Sequence, residues 1–129
     1  MVEQIKIAIV DDEQDMRESI SQWLTLSGYR TVTYPSAVHA LKEIDADFPG
    51  IIISDVRMPE IDGIQFLKKL QSIDNTIPVI MITGHGDVSM AVDAMRIGAY
   101  DFLEKPFDPE RMAELAKRAV QTRRLTLDN

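Results

Sequence analysis

Residues 51–59 read Ile-Ile-Ile-Ser-Asp-Val-Arg-Met-Pro, an uninterrupted apolar run that ends on a carboxylate and is followed by Met-Pro. Three consecutive isoleucines followed by Ser54 are typical of a strand that is covered on both faces, as in a parallel sheet. Pro59 cannot donate to a strand ladder and favours an extended conformation at Met58, so the chain must turn here. Asp55 is therefore predicted to lie at the carboxyl end of a central strand, where open parallel sheets bind their ligands.

The composition of the chain narrows the class of protein. Its 129 residues suit one domain with a sizeable core, and 45% hydrophobic with 27% charged residues is near the globular average. The net charge of −7 argues against a surface that binds nucleic acid. Because no apolar run approaches about 18 residues and no signal-peptide pattern opens the chain, we expect a cytoplasmic protein rather than a membrane or exported one. The absence of cysteine excludes disulfides and thiolate metal sites.

Strand and helix patterns alternate along the whole chain. The strands are expected at residues 5–10, 31–34, 51–54, 79–82 and 100–103, and apolar residues at helical spacing follow each of them. This alternation predicts a parallel sheet with helices on both faces. The first, third and fourth runs are apolar throughout and should be inner strands, whereas the second and fifth should be edges. Strand order 2-1-3-4-5 satisfies these conditions. The predicted fold class is α/β, a flavodoxin-like doubly wound sheet of five parallel strands with five helices.

The sequence predicts which residues of the fourth helix are buried, and the last helix indicates where the domain ends. The buried stripe of the fourth helix is expected to consist of Val88, Ala91, Val92 and Met95. Asp87 can cap this helix, and Met90 falls outside its stripe. The stripe of the last helix ends at Val120, and the residues after it have no stripe long enough to pack by themselves. The chain is therefore divided into one domain at residues 1–121 and the start of a linker at residues 122–129.

Polar residues follow the ends of four predicted strands. They are Asp11 and Asp12 after the first, Asp55 after the third, Thr83 after the fourth and Lys105 after the fifth. In the order 2-1-3-4-5 the first and third strands adjoin where the winding reverses, so the three aspartates should share one crevice. Two carboxylates about 5 Å apart repel by about 3 kcal/mol at an effective dielectric constant near 20. Three of them require a cation, and oxygen ligands in a small, partly solvated site favour Mg²⁺.

The same group of side chains indicates phosphoryl transfer. A metal, an ammonium group and a hydroxyl around one further carboxylate can stabilise a phosphoryl group during its transfer. Asp55 would be the nucleophile and would accept the phosphoryl group as an acyl phosphate. Mg²⁺ and Lys105 would neutralise the phosphoryl oxygens, and Thr83 would donate a hydrogen bond to one of them.

Four motifs, in this order and at these spacings, resemble those of response-regulator receiver domains. They are Val-Asp-Asp-Glu at residues 10–13, Ser-Asp-Val-Arg-Met-Pro-Glu-Ile-Asp-Gly at 54–63, Ile-Thr-Gly-His-Gly at 82–86 and Leu-Glu-Lys-Pro-Phe at 103–107. The resemblance covers residues 5–121, and the residues in and around the last two motifs are similar to those of receivers of the NtrC group. It implies a switch rather than an enzyme, which takes a phosphoryl group from a partner sensor histidine kinase and assists its own phosphorylation and dephosphorylation. It also implies a phosphorylation-modulated homodimer that binds no nucleic acid itself and regulates a sigma-54-dependent transcriptional activator.

The resemblance assigns the metal ligands and the phosphoacceptor residue by residue. Asp55 matches the phosphoacceptor, and both Asp12 and Asp55 match direct Mg²⁺ ligands. Asp11 matches a residue that helps largely through water, and Arg57 matches one that lends its backbone carbonyl. Lys105 matches the lysine that contacts the phosphoryl group, and the peptide bond after it is expected to be cis.

The resemblance further implies how the signal is read and how long it lasts. Thr83 and Phe102 match the switch pair, in which the hydroxyl swings to the phosphoryl group and the aromatic ring turns inward. Arg57 and His85 occupy the positions that tune the lifetime of the acyl phosphate.

Two alternatives remain open at this point. A small Mg²⁺-dependent phosphohydrolase of the haloacid-dehalogenase kind would also use an aspartyl nucleophile in a parallel α/β fold. Such enzymes need a second carboxylate two residues after the nucleophile, where this chain has Arg57. The other alternative is a receiver domain that acts alone, without an output domain.

Overall fold

The computed structural model of the chain describes residues 4–84 and 86–128, in which five strands alternate with five helices. The strands are β1 (Lys6–Val10), β2 (Arg30–Tyr34), β3 (Gly50–Asp55), β4 (Val79–Thr83) and β5 (Asp101–Glu104). The helices are α1 (Gln14–Leu26), α2 (Ala37–Glu43), α3 (Gly63–Ile73), α4 (Val88–Ile97) and α5 (Pro109–Asp128). None of the helices in these ranges has both the length and the apolar composition needed to cross a membrane.

All neighbouring strands pair in parallel, in the order β2-β1-β3-β4-β5, which confirms the predicted fold class and strand order. Successive strand residues alternate between two hydrophobic clusters because side chains of a strand point to opposite faces. Ala8 and Ile52 pack with residues of α2, α3 and α4, whereas Ile7 and Ile53 pack with residues of α1 and α5. The inner strands β1, β3 and β4 are buried along almost their whole length, and β2 and β5 are half-exposed edges, as predicted.

The strand register determines which residues meet at the carboxyl edge of the sheet. Val10 of β1 pairs with Ser54 of β3, and Asp55 pairs with Ile82 of β4. The residues that follow Val10 and Ile82 in the chain therefore flank Asp55 on its two sides. The winding reverses between β1 and β3, so no crossover helix covers this part of the edge.

The predicted buried face of α4 is partly wrong. Ala91 and Ala94 are fully buried, and Met90 packs against the cluster that includes α3. The larger apolar side chains are 38–41% exposed, namely Val88, Val92 and Met95. The helix packs against α3, β4 and β5, and its buried face is built on the small alanines, which allow a close approach. The bulkier neighbours on the adjoining face are left at the surface.

Helix α5 is longer than its apolar stripe indicates, because it continues through residues 122–128 of the expected linker. Arg123 holds this extension to the body of the domain, with 0% of its surface exposed. Its guanidinium donates to the carbonyl oxygen of Phe48 at 2.6 Å, to Thr76 Oγ1 at 2.8 Å and to Asp74 Oδ2 at 3.2 Å. A polar contact therefore anchors the helix beyond its last apolar position. The domain boundary at residue 122 stays a prediction.

Candidate functional site

Three carboxylates meet where β1 and β3 end. Asp11 is 1% exposed and Asp55 is 6% exposed, whereas Asp12 lies at the surface. Each residue offers one carboxylate oxygen, and these three oxygens all lie within 4.8 Å of one another. The fold thus brings together the three aspartates that the strand ends supply.

Asp11 is buried with an incomplete set of hydrogen bonds. Its Oδ1 accepts a bond from the peptide N–H of Glu13 at 2.9 Å, whereas its Oδ2 is buried and has no partner within the described ranges. The pKa of Asp11 is raised to about 6, first by burial and then by the nearby charge of Asp55, against the lowering effect of the Glu13 hydrogen bond. A buried oxygen of this kind beside two further carboxylates suits a divalent cation with oxygen ligands. The residues present therefore fit Mg²⁺.

Asp55 lies between an ammonium group and a peptide N–H. The Nζ atom of Lys105 is 3.3 Å from Asp55 Oδ2, and the peptide N–H of Arg57 donates to Asp55 Oδ1 at 3.1 Å. Lys105 Nζ is also 3.8 Å from a carboxylate oxygen of Glu13. Burial alone would lower the pKa of Lys105, but the charges of Asp55 and Asp11 outweigh burial and raise it. Lys105 is therefore a permanent positive charge beside Asp55 at neutral pH, and the peptide bond after it is cis, as expected.

Thr83 and Phe102 lie on the neighbouring strands β4 and β5. Thr83 is fully buried, and its Oγ1 finds no hydrogen-bond partner in the described part of the chain. Phe102 pairs with Met81 across the sheet, is partly buried, and packs against the cluster beneath α2, α3 and α4. The predicted role of His85 concerns a residue outside the described ranges.

Arg57 connects the loop after β3 with the start of α4. Its Nε lies 2.8 Å from Asp87 Oδ1, in an ion pair whose arginine is largely exposed and whose aspartate is largely buried. Asp87 occupies the N-cap position of α4, as predicted, but its side chain makes no capping hydrogen bond. The ion pair takes the place of the expected cap. No sequence pattern indicates this contact, because the two residues come from different loops.

Arg17 is a further residue of the site, and the motifs do not single it out. Its Nη1 donates to the main-chain carbonyl oxygen of Asp11 at 2.6 Å. A helix side chain that reaches back to the carbonyl of a strand end follows no periodicity, so the sequence carries no signal for it.

The chain matches the family model of the response regulator receiver domain over residues 7–117. It belongs to this family. Receiver domains are phosphorylation-activated regulatory switches that sensor kinases phosphorylate, and they generally bind Mg²⁺ at a cluster of aspartates. The matched range contains the residues that the fold gathers at the carboxyl edge, namely Asp11, Asp12, Asp55, Thr83 and Lys105.

Several relatives of this receiver domain are transcriptional regulators. The C4-dicarboxylate transport transcriptional regulatory protein DctD of Rhizobium meliloti is 44% identical over 123 residues, which cover 95% of this chain and 27% of DctD. The transcriptional regulatory protein FixJ of Bradyrhizobium diazoefficiens is 38% identical and covers 89% of this chain, which spans 56% of FixJ. The chain thus spans only part of the length of the curated relatives it matches.

Solved structures of other receiver domains agree with the fold. The crystal structure of the receiver domain of NtrX from Brucella abortus superposes with a TM-score of 0.86 at 38% identity, over 90% of this chain and 98% of that one. The crystal structure of the FixJ N-terminal domain gives the same TM-score of 0.86 at 39% identity, over 93% of this chain and 96% of that one. These similarities confirm the arrangement of strands and helices described above.

Proposed function

We propose that this receiver domain acts in the cytoplasm and accepts a phosphoryl group on Asp55 from a partner sensor histidine kinase. The observation that carries the proposal is the setting of the Asp55 carboxylate. It is almost fully buried, and the Nζ atom of Lys105 lies 3.3 Å from its Oδ2. One of its oxygens lies within 4.8 Å of a carboxylate oxygen of Asp11 and of one of Asp12. A carboxylate can accept an anionic phosphoryl group where fixed positive charge offsets the repulsion between them.

The chemistry requires little from the protein beyond placement and charge. A carboxylate oxygen of Asp55 forms a bond to phosphorus while the bond from phosphorus to the imidazole nitrogen of the kinase histidine breaks. The electron pair of the broken bond stays on that nitrogen. No general base is needed, because Asp55 attacks as the anion. Lys105 neutralises charge on the phosphoryl oxygens, and its raised pKa keeps it protonated during the step.

Four residues would hold the metal ion that the site fits. Asp12 and Asp55 are the proposed direct ligands, Asp11 acts largely through water, and Arg57 contributes its backbone carbonyl. The buried Oδ2 of Asp11 supports this assignment, since within residues 4–84 and 86–128 it has neither a hydrogen-bond donor nor a positive charge bound to it. When bound, Mg²⁺ supplies positive charge to the phosphoryl oxygens.

The response to phosphorylation would run through Thr83 and Phe102. The Oγ1 of Thr83 is buried and has no partner among the residues that the structure describes, so it is available to donate to a phosphoryl oxygen on the adjacent strand. Phe102 is only partly buried, so a turn of its ring inward when the threonine moves would bury further apolar surface. Arg57 and His85 are the proposed lifetime-tuning positions.

The proposed output is regulation of a sigma-54-dependent transcriptional activator through a phosphorylation-modulated homodimer, without nucleic-acid binding by this domain. The similarity to DctD, of which the chain spans 27%, supports the output, and the exposed apolar side chains of Val88, Val92 and Met95 support a protein contact on α4. Size-exclusion chromatography with and without beryllofluoride and Mg²⁺ tests the dimer. Identical elution in both conditions would refute control of dimerisation by phosphorylation.

The phosphoacceptor is tested by incubating the chain with acetyl phosphate and Mg²⁺ and measuring its intact mass. The wild type should gain one phosphoryl group, and Asp55→Asn or added EDTA should prevent the gain. Asp93→Asn, which changes an exposed aspartate of α4, is the matched control and should be phosphorylated like the wild type. Repeated turnover of small phosphate esters by the wild type would instead favour the phosphohydrolase.

A further inference from the structure

Two consecutive residues, Asp11 and Asp12, supply oxygens to the same cluster. Successive side chains of an extended chain point to opposite faces, so a strand that simply continued past Val10 would send one of these carboxylates away from the other. The chain must therefore turn at the peptide that joins them. Whatever fixes that turn decides whether both carboxylates are available to one cation.

The N–H of Asp11 still bonds the carbonyl oxygen of Tyr34 at 3.2 Å, as the last bond of the strand pairing, and two further hydrogen bonds hold the turn that follows. The peptide N–H of Glu13 donates to Asp11 Oδ1 at 2.9 Å, which fixes the side chain. The guanidinium of Arg17 donates to the carbonyl oxygen of Asp11 at 2.6 Å, which fixes the backbone. The N–H of Arg17 is itself bonded to the carbonyl oxygen of Glu13 at 3.0 Å in the first turn of α1. The arginine is thus anchored on the helix, and its side chain is partly buried.

The guanidinium of Arg17 acts on the backbone rather than on the acidic side chains. Within residues 4–84 and 86–128, it lies within 4.0 Å of no carboxylate oxygen, although it donates to the main chain of Asp11. Neutralising Asp11 or Asp12 would weaken their attraction for a metal ion. By bonding the carbonyl of Asp11, Arg17 does not neutralise the negative charge of either carboxylate.

We infer that Arg17 is a positioning residue for the Mg²⁺ site, which fixes the peptide between Asp11 and Asp12 so that both carboxylates serve one cation with Asp55. The inference deepens the proposed function and rests on it for the identity of the cation. The proposed role of Arg17 is to hold the metal ligands in place before a phosphoryl group binds.

Charge and positioning predict opposite results when Arg17 is replaced. Arg17 is a cation beside a cation site, so its loss would strengthen Mg²⁺ binding if charge alone mattered. If the arginine positions the ligands, its loss weakens binding, by about 10-fold or more as for other residues that orient metal ligands. The direction of the change therefore separates the two effects.

The test is calorimetric titration of Mg²⁺ into the wild type, Arg17→Met and Arg17→Lys. Arg17→Met removes the donor and keeps the apolar stem, and we expect its Kd to rise about 10-fold or more. Arg17→Lys keeps the charge and one possible donor, and its Kd for Mg²⁺ should lie between those of the wild type and Arg17→Met. Arg118→Met, an exposed arginine of α5 paired with Glu114, is the matched control and should bind like the wild type.

A second measurement distinguishes a positioning role from a general loss of structure. The rate of phosphorylation by acetyl phosphate is followed as a function of Mg²⁺ concentration. The half-saturating concentration should rise in Arg17→Met, while the rate at saturating Mg²⁺ stays near that of the wild type. If Arg17→Met does not fold, Arg17→Lys carries both measurements, since it preserves the charge.

Unchanged or tighter Mg²⁺ binding by the Arg17 variants would overturn the inference while leaving Asp55 as phosphoacceptor intact. Absence of Mg²⁺ binding by the wild type would instead overturn both the inference and the proposed metal site. Weaker binding with a normal rate at saturation would support the positioning role.

Discussion

Thr83 carries a buried hydroxyl whose oxygen has no hydrogen-bond partner in the described residues. Such a group costs roughly 1–3 kcal/mol relative to a satisfied one. We expect Thr83→Val to keep the free energy of unfolding unchanged or raise it by up to about 1 kcal/mol, because valine has nearly the same shape without the unpaired oxygen. Urea denaturation measures this change. The same variant should lose its response to beryllofluoride, because the donor to the phosphoryl group is gone.

Ser54 provides the matched control for Thr83. Its buried hydroxyl donates to the carbonyl oxygen of Asp55 at 3.0 Å, so Ser54→Ala removes a hydrogen bond that is made. We expect this variant to lose about 1 kcal/mol of stability. A loss in Thr83→Val as large as in Ser54→Ala would show that the threonine hydroxyl has a partner in the resting state.

Asp11 is a site at which function and stability oppose each other. Its pKa is raised to about 6 by burial and by Asp55, so at neutral pH the carboxylate is charged and this charge destabilises the fold. We expect Asp11→Asn to unfold at a higher temperature than the wild type in EDTA. Mg²⁺ should then stabilise the wild type much more than the variant. A ligand stabilises the folded state according to how tightly it binds that state, and the variant has lost one of the carboxylates of the metal site.

Thermal unfolding in EDTA and in Mg²⁺ measures both effects for Asp11. Asp93→Asn, at an exposed position, should leave the melting temperature unchanged in both conditions. An Asp11→Asn variant that is less stable than the wild type in EDTA would mean that the carboxylate is satisfied by contacts within the protein.

The sequence predicted the residues of the site that lie at strand ends and missed those that reach it from elsewhere. Asp55 and Thr83 could be placed because a buried strand ends visibly at the first polar residue or proline after an apolar run. Lys105 needed the strand order as well. The contacts of Arg17 and Asp87 could not be predicted, because long side chains cross between loops and helices without any fixed spacing.

Asp62 and Asp87 stand at the start of α3 and α4, and the chain uses them in different ways. Asp62 forms a capping box with Gln65 at the start of α3, in which each side chain bonds the other's backbone N–H. Asp87, at the start of α4, bonds Arg57 instead. We expect Asp62→Ala to lower the free energy of unfolding by about 1 kcal/mol. Asp87→Ala should lower it by about 0.5 kcal/mol or less, because its ion pair has a largely exposed partner.

Chemical denaturation of the two alanine variants compares these helix starts directly. Equal losses would show that Asp87 stabilises α4 as strongly as a capped terminus does. The difference between the two helix starts also matters for function. A helix without a capping hydrogen bond, such as α4, is easier to shift than one held by a capping box, such as α3.

At the level of elements, the sequence predicted the five strands and five helices of the described residues and the burial of Ala91, but it wrongly placed Val88, Val92 and Met95 on the buried face of α4. The stripe through Val92 and Met95 has the right period and the larger hydrophobic area. The buried face runs through Ala91 and Ala94, because close packing against α3 favours small side chains. Helical spacing shows which apolar residues share a side of the helix. Which of two adjoining apolar faces is buried depends on the element that packs against it, here α3.

The whole molecule has its site and its helical extension at opposite edges of the sheet. The aspartates lie at the carboxyl ends of β1 and β3, whereas Arg123 bonds Phe48, Asp74 and Thr76 in the segments that lead into β3 and β4. Helix α5 therefore spans the domain from one edge to the other. The sequence could not reveal this anchor, since the apolar stripe ends at Val120 and an arginine near a helix end is usually solvated.

The Arg123 anchor leaves an electrostatic signature on Asp74. Burial raises the pKa of this carboxyl, but hydrogen bonds from Thr76 and Arg123 outweigh burial, so the pKa is lowered overall. An acid whose pKa is lowered by folding stabilises the fold above its unfolded pKa, which is about 3.9. That contribution is lost as the pH falls through the folded value.

We expect Arg123→Met, which keeps much of the buried volume, to lower the free energy of unfolding by about 2–4 kcal/mol at pH 7, since it leaves a buried carbonyl and a carboxylate without their charged donor. The gap between variant and wild type should narrow as the pH falls from about 4 through the lowered pKa of Asp74 in the folded wild type, because the carboxyl then becomes protonated in both proteins. Urea denaturation across this range measures the gap. Arg124→Met, at the exposed neighbouring position, should change stability little at any pH. A gap for Arg123→Met that does not depend on pH would assign the anchor to the neutral oxygens of Phe48 and Thr76 rather than to Asp74.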